Sequence, residues 1–167
     1  MSTTELVKEI KDATEQDLEQ ILELQKKAFY SQALIYNDFN LPPLTQTIDD
    51  LKNEFRHKAI YKVELEGRII ASVRCHIKDD TLHVERLIVD PDLQGRGIGT
   101  KIMNEIERRY SHIVNRFELF TGHKSERSLH LYSKLGYKEV GQESLSDDCR
   151  LIHLEKVSEK EARYLIT

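Results

Sequence analysis

Cysteine is scarce in this chain of 167 residues: Cys75 and Cys149 are the only two, with no CxxC pair and no histidine at ligand spacing beside them. That argues against a disulfide-stapled scaffold and suits reduced thiols in the cytoplasm. Cys75 falls in a strand-like pattern and reads as a small core residue. No apolar run approaches membrane-spanning length, and the opening residues MSTTELVKEI hold no hydrophobic signal core, so neither a membrane span nor export is expected. Basic stretches with interleaved aromatics are missing, and the formal net charge is −4, which speaks against nucleic-acid binding. Mild acidity suits a cationic amine instead. The seven histidines show no HExxH spacing, so no metal is expected.

What is present is an ordinary soluble balance, 32% charged and 39% apolar, enough for one domain with a real core. We place that domain at residues 1–157 and set the charged stretch 158–167 apart as a tail. The stretch at 84–110 organises the rest. Val84, Leu87, Ile88 and Val89 form a β-prone run, interrupted by Glu85 and Arg86. Asp90-Pro91-Asp92 ends the strand, because proline cannot donate to a ladder. Gln94-Gly95-Arg96-Gly97-Ile98-Gly99 follows, and Ile98, Ile102, Met103 and Ile106 then recur at helical spacing. A strand feeding a glycine-rich loop that opens a helix is an anion site: glycines let successive N–H groups converge, and the helix start adds its positive dipole end. A phosphate or pyrophosphate is the expected ligand. The loop is not a Walker loop, since Thr100-Lys101 stand in the wrong order. It is not a dinucleotide fingerprint either, since Thr100 replaces the third glycine.

The remaining elements follow from spacing. Val7 to Ile10 alternates weakly as a first strand. Thr14 caps a helix that carries Leu18, Ile21, Leu22, Gln25, Ala28 and Phe29 along one side to about Tyr30. Residues 31–45 show no sustained period and read as a packed loop around Pro42-Pro43. Thr47 caps a short helix with Leu51 and Phe55. Three antiparallel strands are expected next: one through Tyr61, Val63 and Leu65, one from Ile69 to Ile77, and one from Thr81 to Val89. Residues 114–121 form a strand beyond the crossover helix, parallel to the one before it. Ser125 caps another helix, Gly136 closes it, and strands at 137–140 and 150–155 end the fold.

Gln94, Gly97 and Gly99 fit Gln/Arg-x-x-Gly-x-Gly/Ala. With the preceding ERLIVDPDLQGRGIG and the later SLHLYSKLGY, the chain closely resembles the GNAT superfamily of N-acetyltransferases, well over residues 59–137 and in outline before that. The resemblance implies an α/β fold, with a mixed, mainly antiparallel central sheet and helices on both faces. It implies that residues 94–100 (Gln94, Gly95, Arg96, Gly97, Ile98, Gly99 and Thr100) hold the pyrophosphate of acetyl-CoA. It further implies that Leu87, Ile88 and Val89 pair with the pantetheine arm, the Leu87 N–H facing the thioester oxygen. For that, the next strand must splay away. It also implies coenzyme contacts at Ser125 and Ser128, although relatives often carry asparagine at the place of Ser125. Tyr132, in Leu131-Tyr132-Ser133-Lys134-Leu135-Gly136-Tyr137, matches the tyrosine whose hydroxyl faces the coenzyme sulfur, and is the expected acid. His83 and Glu85 share a strand face and lie where the family puts proton acceptors. Loop 31–45 is where the acceptor is expected to bind.

The implied activity is acetyl transfer to a primary amine on a small molecule, peptide or protein, by direct attack in a ternary complex. A non-catalytic acyl-CoA-binding module and transfer of another acyl group are the alternatives. Relatives are often dimers, so a homodimer is an expectation.

Overall fold

The computed structural model describes residues 9–160 and 162. Seven strands form one sheet in the order β1-β2-β3-β4-β5-β7-β6, numbered along the chain: β1 Lys11–Asp12, β2 Ala59–Leu65, β3 Arg68–Lys78, β4 Thr81–Val89, β5 Arg116–Gly122, β6 Lys138–Ser146 and β7 Cys149–Val157. Every neighbouring pair is antiparallel except β4 with β5. That exception follows from the crossover helix between them. The helices are α1 Leu18–Tyr36, α2 Pro42–Thr45, α3 Ile48–Phe55, α4 Ile98–Tyr110 and α5 Glu126–Lys134.

The two faces of the sheet bury separate cores. On one, Ile98, Ile102, Met103 and Ile106 of α4 pack with Val73, Leu82, Val84 and Phe117. On the other, Leu18, Ile21, Leu22 and Leu24 of α1 pack with Leu51, Ile60, Ile69 and Ile88. Ile106 is fully buried, and side chains of this kind contribute about 1.5–3 kcal/mol each when removed from water.

Two irregularities place the site. In β4 the register runs from Arg74↔Glu85 to Ser72↔Ile88, so Arg86 and Leu87 together oppose Val73. This is a β-bulge, and Arg86 takes a left-handed φ of +50° in it. The inserted residue inverts the strand's alternation. Leu82 and Val84 face α4, but beyond the bulge Leu87 and Val89 face it, while Ile88 crosses to the α1 side. The second irregularity is that β4 and β5 pair only at Thr81↔Arg116, Leu82↔Phe117 and His83↔Glu118. Past His83 the strands separate, which is the expected splay.

Three local expectations are corrected. The first helix does not stop near Tyr30 but runs to Tyr36, so residues 31–36 are helical. Ala33 and Tyr36 continue the buried stripe, while exposed Tyr30, Leu34 and Ile35 mask its period. Asn37, at φ +49°, ends it. The rest of that presumed loop contains α2, with proline in its first turn. The first strand lies at Lys11–Asp12 rather than 7–10; Val7 and Lys8 are outside the described residues. The final hairpin is longer than expected, because β6 is exposed along almost its whole length and shows no alternation. At the caps, the Thr14 N–H donates to Asp17 at 2.8 Å, and Thr47 and Asp50 bond reciprocally. In the tail, Ser158 is buried and Glu159, Lys160 and Ala162 are helical; residues 161 and 163–167 are outside the described residues.

Candidate active site

The gap between β4 and β5 is flanked by two cavities. The first, of about 280 Å³, follows the glycine-rich loop from Leu87 and Val89 along Gln94, Gly97 and Thr100, with α5 as its opposite wall. Gly95 and Gly97 have φ of +78° and +80°, which glycine adopts without steric cost. α4 begins immediately afterwards, so its unpaired first amides and positive dipole end lie at this cavity and suit an anion. Gln94 ties this loop down: its Nε2 donates to the Val89 carbonyl at 3.4 Å and its Oε1 accepts from Arg127 at 3.0 Å. A Cβ on Gly99 would stand 3.4 Å from Leu131 Cδ2, an ordinary contact, so α4 and α5 pack closely here without requiring glycine at this position.

Asp90 anchors the strand end before the loop. Its carboxylate, 2% exposed, accepts from Lys27 at 3.1 Å, Arg68 at 3.0 Å and the Asp92 N–H at 3.0 Å. Burial raises its pKa, but the Asp92 amide, Lys27 and Arg68 outweigh that and hold it below the usual carboxylate value.

The second cavity, of about 270 Å³, lies deeper. Residues of β4 and β5 form its floor. Gln32 and Tyr36 of α1 and Pro42 and Pro43 of α2 wall it on one side, and Leu145, Cys149 and Leu151 of the last hairpin on another. Tyr36 is fixed by hydrogen bonds: its hydroxyl accepts from the Lys124 N–H at 2.7 Å and meets Ser125 Oγ at 2.9 Å, while Ser125 Oγ donates to Gln32 at 2.6 Å. Leu87, Ser128 and Tyr132 line both cavities, so the two meet at these residues.

Most of the residues expected to hold the coenzyme, from Leu87 and Val89 through 94–100 and on to Ser128, border the first cavity. Three are placed elsewhere. Ile88 packs into the α1-side core, Arg96 is exposed and outside the lining, and Ser125 borders the deeper cavity. Ser125 does occupy the position before α5, but its hydroxyl bonds to Gln32 and Tyr36 rather than capping the helix.

Tyr132 is buried, 7% exposed, and burial lifts its phenol well above the ordinary value, so it keeps its proton. Glu85 borders the deeper cavity; its Oε2 accepts from Lys58 at 2.7 Å and its Oε1 is 3.6 Å from His76 Nδ1. Neither Arg86 nor Arg74 is its partner: Arg74 pairs with Glu54 at 2.6 Å. Burial pulls Arg74 down to about 10, Glu54 opposing it. His83 borders neither cavity and stacks on His76, ring centroids 4.9 Å apart. Burial lowers the His76 pKa against the pull of Glu85, leaving it neutral at pH 7. Cys75 is fully buried and pushed up to about 12 by that burial.

Segment 31–45, expected to bind the acceptor, supplies Gln32, Tyr36, Leu41, Pro42 and Pro43 to the deeper cavity, whereas sequence reasoning did not single out Arg86 as a cavity residue. The polar interruption of a β-prone run at Glu85-Arg86 is the signal that marks the bulge. Among the described residues, no group of three or more His, Cys, Asp or Glu side chains could hold a metal, and no helix is long and apolar enough to cross a membrane.

Residues 18–137 match the acetyltransferase (GNAT) family model. The chain is 27% identical over 154 residues to S-(2-succino)cysteine N-acetyltransferase of Bacillus subtilis, covering 86% of this chain and 92% of that one. The spermidine N-acetyltransferase of Vibrio cholerae, solved with CoA and spermine, aligns with a TM-score of 0.72 at 16% identity, over 92% of this chain and 97% of that one. PaiA N-acetyltransferase of Thermoplasma acidophilum, solved with coenzyme A, aligns with a TM-score of 0.68 at 17% identity, over 87% and 96%. At these identities the structural likeness is one of fold. A family model covering well over half of the sequence, on a sheet opened beside a glycine-rich helix start, places the chain in the acetyltransferase (GNAT) family.

Proposed function

We propose that this chain, an N-acetyltransferase by family, moves an acetyl group from acetyl-CoA to a primary amine by direct attack in a ternary complex. The observation that carries this reading is the meeting of two cavities at Leu87, Ser128 and Tyr132, beside the unpaired margin of β4. The residues fit the coenzyme. Left-handed glycines at 95 and 97 leave the loop's amides without Cβ atoms beside them, and the opened strand margin suits an extended arm. When bound, acetyl-CoA supplies an acyl carbon with a thiol leaving group.

The protein's own residues do the rest. Amides of residues 94–100 would grip the diphosphate, with Arg96 at the loop surface, and Leu87, Ile88 and Val89 offer main-chain groups to the arm. The Leu87 N–H would donate to the acyl oxygen as it gains charge. Tyr132, protonated because it is buried, gives a proton to the departing sulfur. The amine's proton leaves by way of Glu85, the one carboxylate among the described residues lining the deeper cavity. His76, within 3.6 Å of Glu85 and stacked on His83, continues that path. Two unpaired cysteines accord with a cytoplasmic setting.

The test is coenzyme-thiol release against a panel of amines. Tyr132→Phe lowers kcat by roughly ten- to a thousandfold, a general-acid-sized loss, with little change in acetyl-CoA affinity by calorimetry. An unchanged kcat removes Tyr132 from the mechanism. Coenzyme binding without turnover of any amine favours a binding module instead.

A further inference from the structure

Beneath the deeper cavity lies a cluster of charges that does not balance. Its cations are Lys58, Arg74 and Arg86; its carboxylates are Glu54 and Glu85. Both carboxylates are already engaged. Glu54 sits 2.6 Å from Arg74 and 3.6 Å from Lys58, and Glu85 sits 2.7 Å from Lys58. Arg86 is left over: among the described residues no carboxylate oxygen lies within 4.0 Å of its guanidinium, and its Nε is buried without a hydrogen-bond partner. Glu54 and Glu85 act on it only through their field, while burial pulls its pKa down. A partly buried guanidinium without a direct partner is costly to keep. This one is held there by a bulge that also puts it in the left-handed region at φ +50°. It borders a cavity whose other lining is largely apolar, including Phe29, Leu41, Val84 and Leu151.

The guanidinium's planar fork matches a carboxylate in shape and charge. Arg86 is also chain neighbour to Leu87, where the two cavities meet. A group held by Arg86 is therefore a short way from an amine presented at that junction. We propose that Arg86 is the specificity residue for the acceptor and that the acceptor is a small amino acid, its carboxylate bound by Arg86 and its amine directed to Leu87 and Tyr132. This rests on reading the deeper cavity as the acceptor site. Polyamines, with no anion to offer, are rejected by the same charge.

Matched pairs test it: free amino acids and the amines they become on losing the carboxylate, compared by kcat/KM for coenzyme-thiol release in wild type, Arg86→Lys and Arg86→Met. Wild type is expected to prefer the carboxylate-bearing member by a hundredfold or more. Arg86→Met brings that ratio below threefold, and Arg86→Lys leaves it intermediate. A wild-type ratio near one, or a ratio untouched by Arg86→Met, overturns the proposal while leaving the acetyltransferase reading intact. Absence of coenzyme binding overturns that reading instead. A second measurement needs no substrate. If Arg86 is kept for a ligand, Arg86→Met raises the melting temperature of the ligand-free chain by several degrees. If it is a structural partner of Glu54 and Glu85, the melting temperature falls, and the proposal fails.

Discussion

Gly122 has no side chain because Tyr36 occupies the space one would need. A Cβ built there overlaps the Tyr36 hydroxyl, stands 2.6 Å from Tyr36 Cζ and 3.0 Å from Ser125 Oγ. In Gly122→Ala the ring must retreat by roughly 1 Å to reach ordinary carbon–carbon contact. The ring is 3% exposed, so it has little room to move. Its hydroxyl would lose both the Lys124 amide at 2.7 Å and Ser125 at 2.9 Å. Overpacking costs about 1–3 kcal/mol and each lost hydrogen bond about 0.5–1.5 kcal/mol net. A total of about 2–6 kcal/mol is expected, or a melting-temperature drop of about 4–24 °C for a domain of this size. Urea unfolding measures it. Tyr36→Phe alone strands the Lys124 N–H and costs about 1–3 kcal/mol. The two changes destroy the same bonds, so the double variant should cost at least ~1 kcal/mol less than the sum. Tyr36 borders only the deeper cavity, so Gly122→Ala also raises the KM for the amine and leaves coenzyme affinity unchanged. Strict additivity, or a Gly122→Ala variant within about 0.5 kcal/mol of wild type, would refute the reasoning.

The remaining predictions concern buried charge. Asp90 is held below its unfolded pKa, so its contribution is present above that value and is lost as pH falls through the folded pKa. Asp90→Asn should lower stability at pH 7 by about 1–3 kcal/mol and flatten the acid limb of the stability–pH curve, read by urea unfolding at stepped pH. Arg74 is 1% exposed and bonds Glu54, Gln46 and Gln25. Arg74→Met removes the partner of Gln25 Oε1 and of Glu54 Oε2, while Gln46 keeps Gln25 Nε2 and Glu54 keeps Lys58, and should cost about 3–5 kcal/mol; a variant that melts with wild type rules that out.

Legibility in the sequence followed how local the determining contacts were. The β2–β3–β4 meander could be read because Tyr61 and Val63 in one strand and Ala71, Val73 and Cys75 in the next alternate toward the α4-side core, although a register shift after Val63 turns Ile69 to the other face. The glycine loop could be read because its working parts are contiguous from Gln94 to Gly99. The end of α1 could not, since three exposed apolar side chains share its last turns with buried Ala33 and Tyr36. The bulge at Arg86 was visible only as two polar residues in an apolar run, and its phase shift depends on pairing with β3. The deeper cavity was the least legible. It joins Gln32, Arg86, Gly122 and Cys149, which are far apart along the chain and share no pattern. Its environment also departs from simple expectation: Glu85 answers to Lys58 in the turn between α3 and β2, a partner that strand alternation gives no means of identifying.

The extra residue in β4 makes the strand two half-strands out of step by one position. Substitution can alter what each half carries but cannot bring them back into phase; only loss or gain of a residue can. Deleting Arg86 would remove the bulge and restore regular alternation, with Leu87 and Val89 still toward α4 and Ile88 still toward α1, so the linings beside the gap keep their faces and only the left-handed kink beside the deeper cavity is lost. Arg86 is thus the one position at which this strand can shorten without turning its side chains over.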